Sequence, residues 1–227
     1  MNPKKTISAI VEFTDIAGLV AGASKGEGLG NKFLANIRES SAIINVVRCF
    51  EDENVTHVNG RVDPVSDIET ITTELALSDL NTLEKRSVKL EKLQKSGDKK
   101  VRFEYELVNK CLEPLNNFGS LNGVTFERQE KIVLASFNLL TLKPMMFVAN
   151  VSENEFTDNK HLSELKSFAS KINTPVVTIC ASLESQLVDF DENEKKEFLK
   201  ESGIEEPGLN RLIREAFRLL GLQTFFT

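Results

Sequence analysis

Three short apolar runs do most to restrict the fold of this chain. They are Ala42 to Arg48 (Ala-Ile-Ile-Asn-Val-Val-Arg), Pro144 to Asn150 (Pro-Met-Met-Phe-Val-Ala-Asn) and Pro175 to Cys180 (Pro-Val-Val-Thr-Ile-Cys). Each has strand length, and stretches of helical period lie between and after them. Leu29 to Glu39, His161 to Ile172, Asp191 to Lys200 and Leu209 to Leu220 read as helices. Strands alternating with helices mean a parallel sheet, and the first run is expected to be buried on both faces. The long interval between the first and second runs is helical instead. From Asp67 to about Lys95, Ile68, Ile71, Leu75, Leu80, Leu83, Leu90 and Leu93 recur among charges, with Ser66 or Asp67 placed to cap the helix. Ser96-Gly97-Asp98 makes a turn. A second helix then carries Val101, Phe103, Leu107, Val108 and Leu112 on one side, and Pro114 is expected to end it. A shorter helix runs from about Glu127 to Phe137. The two long helices read as an antiparallel, coiled-coil-like hairpin. The expected division is 1–64 and 139–227 for the α/β part and 65–138 for the inserted arm.

Charge narrows the partners. The net charge of -6 and pI near 5.2 do not draw the chain as a whole to nucleic acid, and no specific DNA partner is expected. Its basic residues nevertheless gather at the hairpin tip, in Lys89, Lys92, Lys95, Lys99, Lys100 and Arg102. Such a cluster suits an anionic partner such as ribosomal RNA, although a solvated helix face is the plainer reading. The three cysteines fit no metal spacing and suggest reduced thiols in a cytoplasmic protein. No apolar run is long enough to span a membrane.

Chemistry concentrates at strand ends. Residues Thr6 to Thr14 mostly alternate apolar and polar, which predicts a first strand reaching Asp15. Asp15-Ile16-Ala17-Gly18 follows, then Gly22, Gly26, Gly28 and Gly30, then Leu29, Phe33, Leu34 and Ile37 at helical spacing. A strand ending in aspartate, a glycine-rich loop and a helix make a place where a metal-bound phosphate can be sensed. The carboxylate holds a magnesium-bound water, and the Gly18 amide reaches a γ-phosphate. In a doubly wound sheet, ligands sit beyond the carboxyl ends of the strands. The other informative ends are Asn150-Val151-Ser152-Glu153 and Cys180-Ala181-Ser182. Guanine selection needs Asn-Lys-x-Asp at the first of these, because that aspartate accepts two hydrogen bonds from the base. Glu153 is one methylene longer and cannot occupy the same place, so guanine selection should be lost.

The run from Glu12 to Arg38 resembles, almost letter for letter, the switch II region of the YchF-type Obg-like ATPases. Asn150-x-x-Glu153 resembles the altered base-recognition motif of the same family. The resemblance covers essentially the whole chain and implies an incomplete, G-domain-like P-loop NTPase with an inserted helical arm. It implies ATP and Mg2+ as ligands and the ribosome (the 50S or 70S particle, or its RNA) as partner. The backbone around Val151 and Ser152 would meet adenine, with Cys180, Ala181 and Ser182 against the base, and Asp15 would reach the metal through water. Leu19 stands where many GTPases carry the glutamine that orients water, and the family has the same hydrophobic substitution. His57, in Val-Thr-His-Val-Asn-Gly, matches the loop where the family carries its proposed catalytic histidine, whereas His161 is expected to be ordinary surface.

The sequence contains no G-x-x-x-x-G-K-[ST]. In the family that element and a central strand precede the position of Thr6, and a β-grasp domain of TGS type follows the last helix. On that comparison the polypeptide alone is expected to bind ATP weakly or not at all and not to hydrolyse it. The alternatives are a non-catalytic remnant that binds a partner through the arm, and an enzyme completed by a second polypeptide carrying the P-loop.

Overall fold

The computed structural model describes residues 9–16, 29–55, 57, 60–156 and 159–223. The strands among these described residues are β1 (Ile43–Arg48), β2 (Met145–Asn150) and β3 (Val176–Ile179). The α-helices among them are α1 (Leu29–Glu39), α2 (Pro64–Leu93), α3 (Lys99–Phe118), α4 (Arg128–Ala135), α5 (Lys160–Lys171), α6 (Ala181–Leu187), α7 (Glu192–Glu201) and α8 (Gly208–Leu219). The chain forms two compact units, one of residues 1–15, 42–65 and 144–227 and one of residues 16–41 and 66–143.

The first unit is built on a parallel sheet in the order β1-β2-β3, with Ile43 opposite Met145 and Phe147 opposite Val176. In the central strand Met146, Phe147, Val148 and Ala149 are all buried, as a strand covered on both faces requires. β1 does not meet the same expectation: Asn45 and Val47 are buried but Val46 is 64% exposed. The cause is position. Among the described residues β1 bonds only to β2, through Ile43 N to Pro144 O (2.9 Å) and Cys49 N to Asn150 O (2.8 Å) at its ends. The intervening amides of Ile44, Val46 and Arg48 point to the other edge. The strand expected from Thr6 to Asp15 is also corrected. Residues 9–16 are irregular and Ile10 is 90% exposed; residues 6–8 lie outside the described residues. Alternation specifies two faces but supplies no neighbour, and an unpaired strand leaves its amides better served by water.

The second unit is the helical arm with α1. Ala76, Leu83 and Leu90 lie seven residues apart on α2 and pack with Leu107, Val108, Cys111 and Leu115 of α3 and Leu134 of α4. Two boundaries differ from expectation. α2 begins at Pro64, ahead of Ser66 and Asp67, because proline suits the first helical position, where no N–H is needed. α3 passes through Pro114 and ends at Phe118. The missing N–H removes one bond near the helix end, while Cys111 and Leu115 on either side are buried and hold the turn. Gly119, at φ 69°, closes the helix.

α1 is fastened to α2 by Arg38, which donates to Ser78 Oγ (2.7 Å) and Thr82 Oγ1 (3.2 Å). The wholly buried Asp79 of α2 receives Leu140 N (2.9 Å), Thr141 N (2.8 Å) and Thr141 Oγ1 (2.8 Å). Its carboxylate thereby caps the short 3-10 turn Leu140–Leu142 that leads out of the arm. Among the described residues no helix is long and apolar enough to cross a membrane.

Candidate functional site at the carboxyl rim of the sheet

Parallel strands end on one rim, so β1, β2 and β3 deliver Cys49, Asn150 and Cys180 to the same side of the sheet. Main-chain bonds run across it: Cys49 N donates to Asn150 O (2.8 Å) and Val151 N to Ile179 O (2.9 Å). Side chains then join the second and third ends. Asn150 Oδ1 accepts from Ala181 N at 3.0 Å. Glu153 Oε1 accepts from Ser182 Oγ and from Gln186 Nε2, each at 3.3 Å. Cys180 Sγ lies 3.0 Å from Ser182 Oγ and is buried. Of the residues proposed from the sequence as the base-facing set, Asn150, Glu153, Cys180, Ala181 and Ser182 are linked in this way, while Val151 joins through its main chain and Ser152 instead accepts from Glu155 N at its carbonyl. Val151 is buried, so only its backbone can face a ligand.

Ala181 opens α6, which is not among the helices expected from the sequence. α6 carries Leu183 and Leu187 four residues apart, both buried, and this spacing was the available signal. Glu184 of α6 in turn receives Gly208 N (2.5 Å) and Leu209 N (3.2 Å), capping α8, which has no side-chain cap of its own. Arg211 of α8 donates to Thr178 O (2.8 Å) on β3. The third strand end is therefore braced from behind by two helices.

The loop after β1 is braced by residues the sequence reading did not single out. Arg48 donates to Phe50 O (2.9 Å), Val55 O (2.9 Å) and Asp52 O (3.2 Å), and its guanidinium stacks 4.7 Å over the Phe50 ring. Buried Asn159 caps α5 through Leu162 N (2.8 Å) and donates from Nδ2 to Cys49 O (2.6 Å). His161, expected to be plain surface, is only 22% exposed in its side chain, with Nε2 3.0 Å from Glu51 Oε1. His57 is half-buried, and its carbonyl accepts from Gly60 N (3.0 Å). Burial pushes the Cys49 thiol up to about 12, so it stays a protonated packing group.

Asp15 is exposed in the irregular stretch 9–16, and no described contact ties it to the Asn150 cluster. Gly18 lies outside the described residues. For a divalent cation, no group of three His, Cys, Asp or Glu side chains comes together among the described residues. For a purine base the fit is better: a polar strand-end amide, two hydroxyl or carboxylate neighbours and main-chain groups converge on one rim.

A parallel sheet with its polar cluster at the carboxyl edge defines an α/β protein of the doubly wound, nucleotide-fold class. No protein-family profile matches the chain. Curated relatives do: it is 50% identical to the ribosome-binding ATPase YchF of Haemophilus ducreyi and 51% to that of Haemophilus influenzae, over 227 residues in each case. The Bacillus subtilis protein of the same name is 47% identical over 230 aligned positions. Among solved structures, the Schizosaccharomyces pombe YchF GTPase matches with a TM-score of 0.81 at 30% identity, over 96% of this chain and 60% of that one. Over its whole length the chain is thus similar in sequence and fold to part of the YchF-type proteins. It spans 62% of the length of the two Haemophilus relatives.

Proposed function

We propose that this chain supplies the adenine-facing rim and the helical arm of a ribosome-associated, ATP-using NTPase. The observation that carries the reading is the bridge from Asn150 Oδ1 to Ala181 N, beside Glu153 held by Ser182 and Gln186. Guanine selection depends on a carboxylate turned toward the base to accept its N1–H and N2–H. Here the carboxylate is engaged by α6, and adenine, which carries no N1–H, does not require it. Asn150 keeps its Nδ2 donor for a purine ring nitrogen. Asp15 is the proposed outer-sphere ligand of Mg2+, Gly18 the γ-phosphate sensor and His57 the water-positioning group. No catalytic step is derived through the metal, because the described residues do not assemble a ligand set for it. The names of the relatives support the ribosome as partner, and the exposed lysines of the α2–α3 turn support contact through the arm.

Photolabelling with 8-azido-ATP tests the base side. Labelled peptides should map to 150–153 and 180–186, and excess ATP should suppress labelling while GTP does not. Labelling confined to other segments, or suppressed equally by GTP, would overturn the reading.

A further inference from the structure

The head of α3 carries two adjacent cations just inside its N-cap. A helix N-terminus carries partial positive charge and favours acidic residues, yet the first two positions of α3 are Lys99 and Lys100 and its first turn has no acidic residue. Both ammonium groups are exposed, and neither forms an ion pair among the described residues. The remaining basic residues of the same tip, Lys89, Lys92 and Lys95, add to the local potential of an otherwise acidic chain. Asp98 at the N-cap, whose carboxylate accepts from Lys100 N at 2.8 Å, offsets the helix end itself but leaves the two lysine side chains open to an external partner.

Directly beside these lysines lies an open groove of about 540 Å³ between α3 and α4. Its floor and wall are Phe103, Ile132 and Val133, with Glu104 at one side. Phe103 is 37% exposed and Ile132 is 67% exposed. The apolar run Ile132-Val133-Leu134 explains why. Three consecutive helical residues sweep about 200°, wider than the stripe a core-facing helix buries. Leu134 takes the core, and Ile132 is left on the groove. Glu104 is neutralised by Arg86 at 2.5 Å, so it does not cancel the lysines.

We propose that this groove docks an acidic, apolar segment of a partner protein, with its apolar side chains on Phe103 and Ile132 and its carboxylates on Lys99 and Lys100. Charge complementarity selects the occupant. RNA would satisfy the lysines and could stack one base on Phe103, but Ile132, the most exposed apolar side chain of the groove, and Val133 offer branched aliphatic surface that bases do not use. A helix-in-groove or extended acidic segment uses both halves of the surface at once. The proposal is independent of the nucleotide reading, since every residue belongs to the helical unit.

The test uses the full chain, 15N-labelled, with three probes: a synthetic peptide of about twelve residues alternating Asp or Glu with Leu at helical spacing, its Lys-for-acid counterpart, and oligouridylate of similar length. The acidic peptide should bind with micromolar affinity and shift the signals of Phe103, Ile132 and Val133, while the Lys peptide does not. Ile132→Glu and the pair Lys99→Glu with Lys100→Glu should each weaken it by about tenfold or more. Ile132→Ser provides the same readout should the glutamate disturb folding, and thermal melts report that. Oligouridylate binding, if present, should ignore Ile132. Absence of acidic-peptide binding overturns the proposal. So does RNA binding that requires Ile132 as well as the lysines, which assigns the groove to RNA.

Discussion

Replacing Asp79 with alanine should destabilise the helical unit more than any other single polar substitution described here. The carboxylate is fully buried and receives two main-chain amides and one hydroxyl, at 2.8 to 2.9 Å. Alanine leaves the amides of Leu140 and Thr141 without acceptors where Leu140 is itself wholly buried. Each orphaned buried donor costs about 1–3 kcal/mol, and the Thr141 hydroxyl can rotate to a new partner, so the loss should be roughly 3–4 kcal/mol. Asp79→Asn keeps one acceptor but turns an NH2 toward a donor, and should lose about 2 kcal/mol. Burial pushes the Asp79 carboxyl above its ordinary value, against the pull of the Thr141 and Leu140 donors and Arg38. A raised carboxyl contributes stability that is complete below the unfolded-state value and lost as pH rises through the folded-state value. The gap between wild type and Asp79→Ala should therefore widen from pH 7 to pH 4. Urea unfolding followed by circular dichroism at both pH values is the assay. A loss under about 1 kcal/mol, or a gap that narrows on acidification, would refute the reasoning.

Other outcomes follow from the sheet unit. A Cβ at Gly208 would sit 2.8 Å from Ile179 Cγ2 and from Glu184 Oε1. Gly208→Ala should cost about 1–3 kcal/mol in urea unfolding; no loss would mean that α8 is free to shift. Arg48→Ala removes three carbonyl bonds and the Phe50 stack. Amide exchange across residues 50–57 should rise about tenfold while that of β2 stays fixed, and unchanged exchange would show that the loop is held otherwise. The amides of Glu194 and Asn193 hold the Asp191 carboxyl below its ordinary value. Its cap on α7 therefore contributes above the unfolded-state value, about 3.9, and is lost as pH falls through the folded-state one. Exchange protection of α7 in wild type should exceed that in Asp191→Ala at pH 7, with the difference shrinking below about pH 4.

Much of this architecture is legible in the sequence because burial leaves a periodic trace. The apolar run at Pro144 to Asn150 marks the central strand within one residue, and Ala76, Leu83 and Leu90 announce the arm's core. What fails to show is whatever depends on a neighbour. Residues 9–16 alternate as a strand does, yet alternation cannot say which strand will accept their bonds. Val46 reads as buried because the sequence does not reveal that β1 is an edge among the described residues. Pro114 reads as a stop because propensity ignores the buried Cys111 and Leu115 beside it. At the site, the motif residues Asn150, Glu153, Ala181 and Ser182 were visible. Their braces, Arg48, Asn159 and Glu184, were not, because each works through bonds to carbonyls or amides that leave no pattern in residue type.

The base-side claim is tested most directly by the ratio of ATP to GTP affinity in wild type and in Glu153→Asp, measured by competition against a fluorescent adenine nucleotide. The account predicts that wild type prefers ATP and that the shortened carboxylate, released from Ser182 and Gln186, shifts the ratio toward GTP by about tenfold. Equal affinity for the two nucleotides in wild type, or a ratio indifferent to residue 153, would contradict it.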